Sequence, residues 1–147
     1  MTEYKENEIY GVTQKDIFDK LGMPLDRSHG QSMRKYLKNQ KQYDCIYFWF
    51  PHREGRSEDK IFYNILEENI IVMKKASPSL SNPRLWKNTA PKVVFYDDNR
   101  TYKDARFYKF KGVYQFDHSE KDDSKVYLKK IGSVLLIDEK TKAVSWK

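Results

Sequence analysis

The stretch CIYFWF, residues 45–50, places five large apolar residues in succession and is followed at once by the basic turn PHREGR. Alternation along an extended chain assigns Ile46, Phe48 and Phe50 to one face and Tyr47 and Trp49 to the other. The first three are expected to enter a core. Tyr47 and Trp49 carry polar handles suited to a half-wet site. A run of this kind calls for a sheet on either side of it, so the rest of the chain is read for partner strands.

Strand signals begin after Tyr43. KIFYNIL and NIIVMKKA predict a hairpin turning at Glu67, Glu68 and Asn69, with a helix over residues 58–68 as the competing assignment. PKVVFY and RFYKFKGVYQF predict a second hairpin about the DDNR turn, and KVYLKKIG and SVLLID supply the last two strands. In RFYKFKGVYQF, strict alternation puts Tyr108, Phe110, Tyr114 and Phe116 on one face, with Phe107, Lys109 and Lys111 on the other. Gly112 interrupts that pattern where a bulge lets a strand bend.

Before Tyr43 the periodicity is helical. VTQKDIFDKLG predicts a helix capped by Thr13, with Asp16 three residues on, Ile17, Phe18 and Leu21 as its apolar stripe and Gly22 as its stop. SMRKYLKNQ predicts a second short helix, capped by Ser32, with Met33, Tyr36 and Leu37 inward. The expected fold is α+β in one domain over residues 1–147, with a helical part at 1–42 and a β-rich part at 43–147. The strands would form a curved antiparallel sheet or a β-barrel, with short helices near the N-terminus.

Charge narrows the partners. The chain of 147 residues carries a net +7, and residues 1–30 are net acidic, so the remainder holds the positive excess. A positive field of this size attracts polyanions, nucleic acid first and an anionic membrane or acidic protein behind it. Aromatic residues make up 15% of the sequence, which argues against disorder. The lone Cys45 permits no internal disulfide, and a reducing, cytoplasmic setting is the expectation. No membrane segment and no signal peptide is expected, since Met1–Tyr10 lacks an apolar stretch.

Catalytic motifs are sparse. His29, His52 and His118 are far apart and no cysteine pair supports a metal, so no cofactor is expected. The acid-x-Lys pattern of some nucleases fits Asp138–Lys140, but Glu3–Lys5, Glu58–Lys60 and Asp123–Lys125 fit it as well, so it discriminates nothing. GxSxG, GxxxxGK and GxGxxG do not occur. The residues therefore favour binding over chemistry. Basic and aromatic residues interleave at Arg34-Lys35-Tyr36, Arg84-Leu85-Trp86-Lys87 and Phe107 to Lys111, the composition that pairs phosphate neutralisation with base stacking.

Three pieces of this sequence carry a family resemblance. They are Tyr10 with Lys15-Asp16-Ile17 and Leu21-Gly22, then His29-Gly30-Gln31-Ser32 with Tyr36-Leu37, and lastly Phe107 to Tyr114. Their order resembles the modified-DNA-reading domains of bacterial restriction endonucleases, related to the SRA and PUA-like folds. That resemblance implies a curved β-barrel that binds DNA, in some members flipping a modified base into an aromatic pocket. It also implies a modified DNA duplex and a nuclease domain or subunit as partners. No nuclease segment follows Trp146, which leaves a fragment or a free-standing reader as alternatives. On this reading Tyr47, Trp49 and Trp86 are the pocket walls, and His29, Gln31 and Ser32 supply edge hydrogen bonds. Arg34, Lys35, Lys38, Arg53, Arg56, Arg84 and Lys87 meet phosphates. Two competing functions are a phage or mobile-element protein that inhibits an acidic protein partner, and a nuclease using the Asp138 region.

Overall fold

The computed structural model describes residues 1–25, 33–37, 45–51, 62–75, 90–97, 106–118 and 125–147. In chain order the elements are β1 (Thr2–Lys5), β2 (Tyr10–Gly11), α1 (Gln14–Leu21), β3 (Met33–Leu37), β4 (Cys45–Trp49) and β5 (Phe62–Glu67). They continue with β6 (Ile70–Lys75), β7 (Lys92–Asp97), β8 (Tyr108–Phe116), β9 (Lys125–Gly132), β10 (Val134–Ile137) and β11 (Val144–Trp146). The large sheet runs β3-β4-β7-β8-β9-β6-β5, with β2 paired to β8, and a small sheet runs β1-β10-β11.

Helix α1 forms where its end signals predicted. The Thr13 hydroxyl accepts from the Asp16 amide at 3.0 Å, and Gly22 closes the helix at φ 68° while its own N–H and that of Met23 donate to Asp19 and Phe18. Ile17, Phe18 and Leu21 are buried. Among the described residues α1 is the single helix. The helix expected over SMRKYLKNQ is corrected: residues 33–37 are β3, antiparallel to β4 from Met33 opposite Trp49 to Leu37 opposite Cys45. A short isolated helix is marginal in water, whereas pairing completes the backbone hydrogen bonds of a buried strand.

The hairpin of β5 and β6 turns at Glu68, which sits at φ 47°, so residues 62–67 are strand where a helix over 58–68 was the alternative, and residues 58–61 lie outside the described residues. Strands β7 and β8 pair antiparallel as expected, but β4 and β7 pair parallel. The large sheet is thus mixed, the small one is antiparallel throughout, and among the described residues both are open, with no closed barrel.

Gly112 is the bend in β8. Its φ of 117° excludes most side chains, and a Cβ there would lie 2.9 Å from the Gly132 carbonyl oxygen. The β7 register slips beside it, with Val94 opposite Gly112 and Phe95 opposite Phe110. One extra residue reverses the alternation. Tyr108, Phe110 and Val113 therefore join the first core cluster, whereas Tyr114 and Phe116 join the second. The single face expected for Tyr108, Phe110, Tyr114 and Phe116 is corrected into two.

The first cluster lies between the large sheet, α1 and the small sheet, drawing on Phe18, Phe48, Phe95, Leu135 and Val144. The second covers the opposite face of the large sheet with Trp49, Ile71, Met73, Val94, Tyr114 and Leu128. No helix among the described residues is long and apolar enough to cross a membrane.

Candidate functional site

Strand β4 is buried on both faces, as a central strand beside a parallel neighbour tends to be. Ile46, Phe48 and Phe50 enter the first cluster as the alternation predicted. Tyr47 and Trp49 take the other face, at 7% and 3% exposure. Trp49 packs into the second cluster, and Tyr47 packs against Ala90. The Tyr47 amide donates to the Pro91 carbonyl at 3.0 Å, which docks the start of β7 beside it.

That docking sets up an unusual row. In backbone register, Lys35 of β3 stands opposite Tyr47, Tyr47 opposite Lys92, Lys92 opposite Tyr114, and Tyr114 opposite Lys130. Cation and aromatic alternate across five strands. Lys92 is wholly buried. Its Nζ lies 4.8 Å from the Phe116 ring centroid and 5.8 Å from that of Tyr47, and it donates to the Ala90 carbonyl at 2.5 Å. Taking an ammonium out of water costs several kcal/mol. Ring faces and a carbonyl oxygen return part of that cost, and the result is a donor fixed in a low-dielectric setting.

Tyr114, next in the row, is also fully buried, and its hydroxyl has no hydrogen-bond partner among the described residues. Burial, with the Glu6 carboxylate adding to it, holds the phenol well above its ordinary pKa and hence neutral. Lys130 has its Nζ 5.7 Å from the Tyr114 ring and 2.5 Å from Glu6 Oε1. Here the row reaches an open cleft of about 560 Å³ lined by Glu6, Asn69, Lys130, Gly132, Ser133 and Lys147. Lys147 pairs with Glu3 at 2.9 Å.

Of the residues predicted to form a site, Tyr47 and Trp49 share one sheet face, where Tyr47 lies beside the buried Lys92 and Trp49 stands opposite Val94. Arg34 and Lys35 lie in β3, where their backbone register places them opposite Phe48 and Tyr47. His29, Gln31, Ser32, Lys38, Arg53, Arg56, Arg84, Trp86 and Lys87 lie outside the described residues. Sequence reasoning missed Lys92 and Tyr114 as site residues. Lys92 falls within the predicted strand PKVVFY with nothing local to single it out, and its neighbour Tyr47 comes from a parallel pairing that no local pattern specifies. Among the described residues, no group of three or more His, Cys, Asp or Glu side chains stands together to hold a metal ion.

No family model matches the chain, and no curated protein matches it either. A solved structure that it resembles is the 5-hydroxymethylcytosine-specific restriction enzyme AbaSI. The TM-score is 0.57 at 17% sequence identity, and the match covers 90% of this chain. The chain spans 41% of the length of that enzyme, and identity at this level establishes a likeness of fold alone.

Proposed function

We propose that the chain is a DNA-binding module that senses a modified base by flipping it out of the duplex, as the recognition part of a restriction or defence system. The observation that carries this reading is the buried Lys92 set against Tyr47 and Phe116, on the face to which sequence alternation assigned the pocket walls. A base out of the stack needs ring surfaces for its faces and fixed polar groups for its edge. The second face of the sheet is built from both kinds of group. The likeness of fold to an enzyme specific for a modified cytosine supports the substrate class.

In this reading Tyr47 and Trp86 flank the base, and Trp49, inside the second cluster, backs the pocket. His29, Gln31 and Ser32 meet the base edge from the segment after α1. Arg34, Lys35, Lys38, Arg53, Arg56, Arg84 and Lys87 neutralise phosphates. The sheet is the curved platform of an SRA/PUA-like reader over residues 1–147 acting as one cytoplasmic domain, and cleavage falls to a partner nuclease domain or subunit. Extrusion costs a few kcal/mol, which stacking and edge contacts must recover.

Titration of the chain with short duplexes, unmodified and cytosine-modified, at two salt concentrations tests this. A preference for the modified duplex of about tenfold or more, roughly 1.4 kcal/mol, is expected, together with affinity that falls steeply as salt rises. Equal affinity for both duplexes removes base sensing. Affinity indifferent to salt removes the phosphate-tracking surface.

A further inference from the structure

The small sheet and α1 cover the first face of the large sheet over β4, β7 and β8, where the first cluster lies. Further along the same face, the ends formed by β5, β6 and β9 present a different surface. The registers Lys74 opposite Lys125, Val72 opposite Tyr127 and Ile70 opposite Lys129 put these six residues on one side, since Ile71, Met73, Val126 and Leu128 turn to the second cluster. On β5, Ile65 continues the Val72–Tyr127 row and Glu67 stands opposite Ile70. Lys129 and Ile70 are exposed, the latter at 46%, while Lys74, Lys125, Tyr127 and Ile65 are half-buried.

The lysines here contrast with those around them. Lys130 and Lys147 are neutralised by Glu6 and Glu3. The ammonium groups of Lys74, Lys125 and Lys129 are held in no hydrogen bond or ion pair with a described residue. Two of them, Lys74 and Lys125, stand directly opposite each other, an arrangement that works against the sheet. Lysines often guard exposed sheet edges against unwanted pairing. That reason does not apply here, because β6 and β9 are interior strands with neighbours on both sides. Lys125 and Lys129 bracket Tyr127 along β9, about 13 Å apart at the rise of a strand. Unneutralised cations on either side of a half-exposed ring match an anionic backbone that carries flat bases.

We infer that this face of β5, β6 and β9 binds single-stranded nucleic acid, with Lys74, Lys125 and Lys129 on phosphates and Tyr127 stacked on a base. The inference rests on the DNA-binding reading above and adds to it a surface separate from the Tyr47–Lys92 face. Glu67 bounds the patch at the hairpin end.

A labelled oligothymidine titrated at two salt concentrations against the intact chain, the double variant Lys74→Gln/Lys125→Gln, and Tyr127→Leu provides the test. The double variant should lose two phosphate contacts, so the slope of log affinity on log salt should fall by about 1.4. Tyr127→Leu should weaken binding roughly tenfold with the slope unchanged, since it removes stacking and leaves the charge alone. The melting midpoint of the double variant should hold or rise, because an opposed like-charge pair is gone. Modified and unmodified duplexes run alongside separate the two readings. If the chain discriminates between duplexes but its oligothymidine affinity ignores all three substitutions, this inference fails and the base-reading proposal stands. If it binds neither duplex nor oligothymidine, both fail. Lysine-dependent binding of polyglutamate without binding of oligothymidine also overturns the inference, in favour of an acidic protein partner.

Discussion

Over β4, β7 and β8 the two faces of the large sheet are both buried, yet they are built from different materials. On the first, Phe18, Phe48, Phe50, Phe95, Tyr108 and Phe110 form a chain of rings. Phe18 meets Phe48 edge-on at 5.2 Å, Phe95 stacks on Phe50 at 5.2 Å, and Phe50 meets Tyr108 edge-on at 5.0 Å. Dispersion and water exclusion account for that arrangement fully. The second face also buries rings, but it takes in the Lys92 ammonium and the Tyr114 hydroxyl with them. Stability alone favours apolar residues at such positions. The first face therefore reads as the scaffold, and the second as the place where stability is given up for polar groups held in position.

Substitutions on the two faces should differ in sign as well as size. Phe95→Ala removes a ring that stacks on both Phe48 and Phe50 and approaches Phe110. It should cost about 3–5 kcal/mol in denaturant unfolding. A loss below about 1 kcal/mol would contradict the scaffold role of the first face. Tyr114→Phe removes only a buried hydroxyl that lacks a hydrogen-bond partner among the described residues. It should stabilise the chain by about 1 kcal/mol at neutral pH. The raised phenol pKa gives that site a pH signature. A group whose folded pKa lies above its unfolded value contributes stability below the unfolded value and loses it as pH climbs, so wild type should weaken beyond about pH 10 and Tyr114→Phe should weaken less. Destabilisation by Tyr114→Phe at neutral pH would show that the hydroxyl is satisfied in solution, and the contrast between faces would shrink.

Much of the fold was legible in the residues. Helix α1 announced both ends through Thr13 and Gly22, since capping is local chemistry. The hairpins at Glu68 and between β7 and β8 were legible from apolar alternation broken by polar turns. Long-range register was not. β3 carries a helical spacing at Met33, Tyr36 and Leu37 but is drawn into a strand by β4. The terminal strands β1 and β11 are short and pair with β10 from opposite ends of the chain, so no window of neighbours reveals them. Gly112 was read as a bulge, but its effect on parity, which splits the aromatics of β8 between two cores, needs the partner register. Of the site, the facing of Tyr47 and Trp49 was legible, and Lys92 was not, because its setting comes from a parallel pairing.

The division of labour between the faces meets its most direct test at Lys92. Lys92→Met keeps most of the apolar stem of the side chain and removes the buried ammonium, so its melting midpoint and its preference for a cytosine-modified over an unmodified duplex should be measured on the same preparation. The account predicts a change in stability of no more than about 1–3 kcal/mol, the scale of one buried hydrogen bond, with the preference for the modified duplex lost. A variant that unfolds readily while its folded fraction keeps full preference would make Lys92 a structural group, and the second face a second core and nothing more.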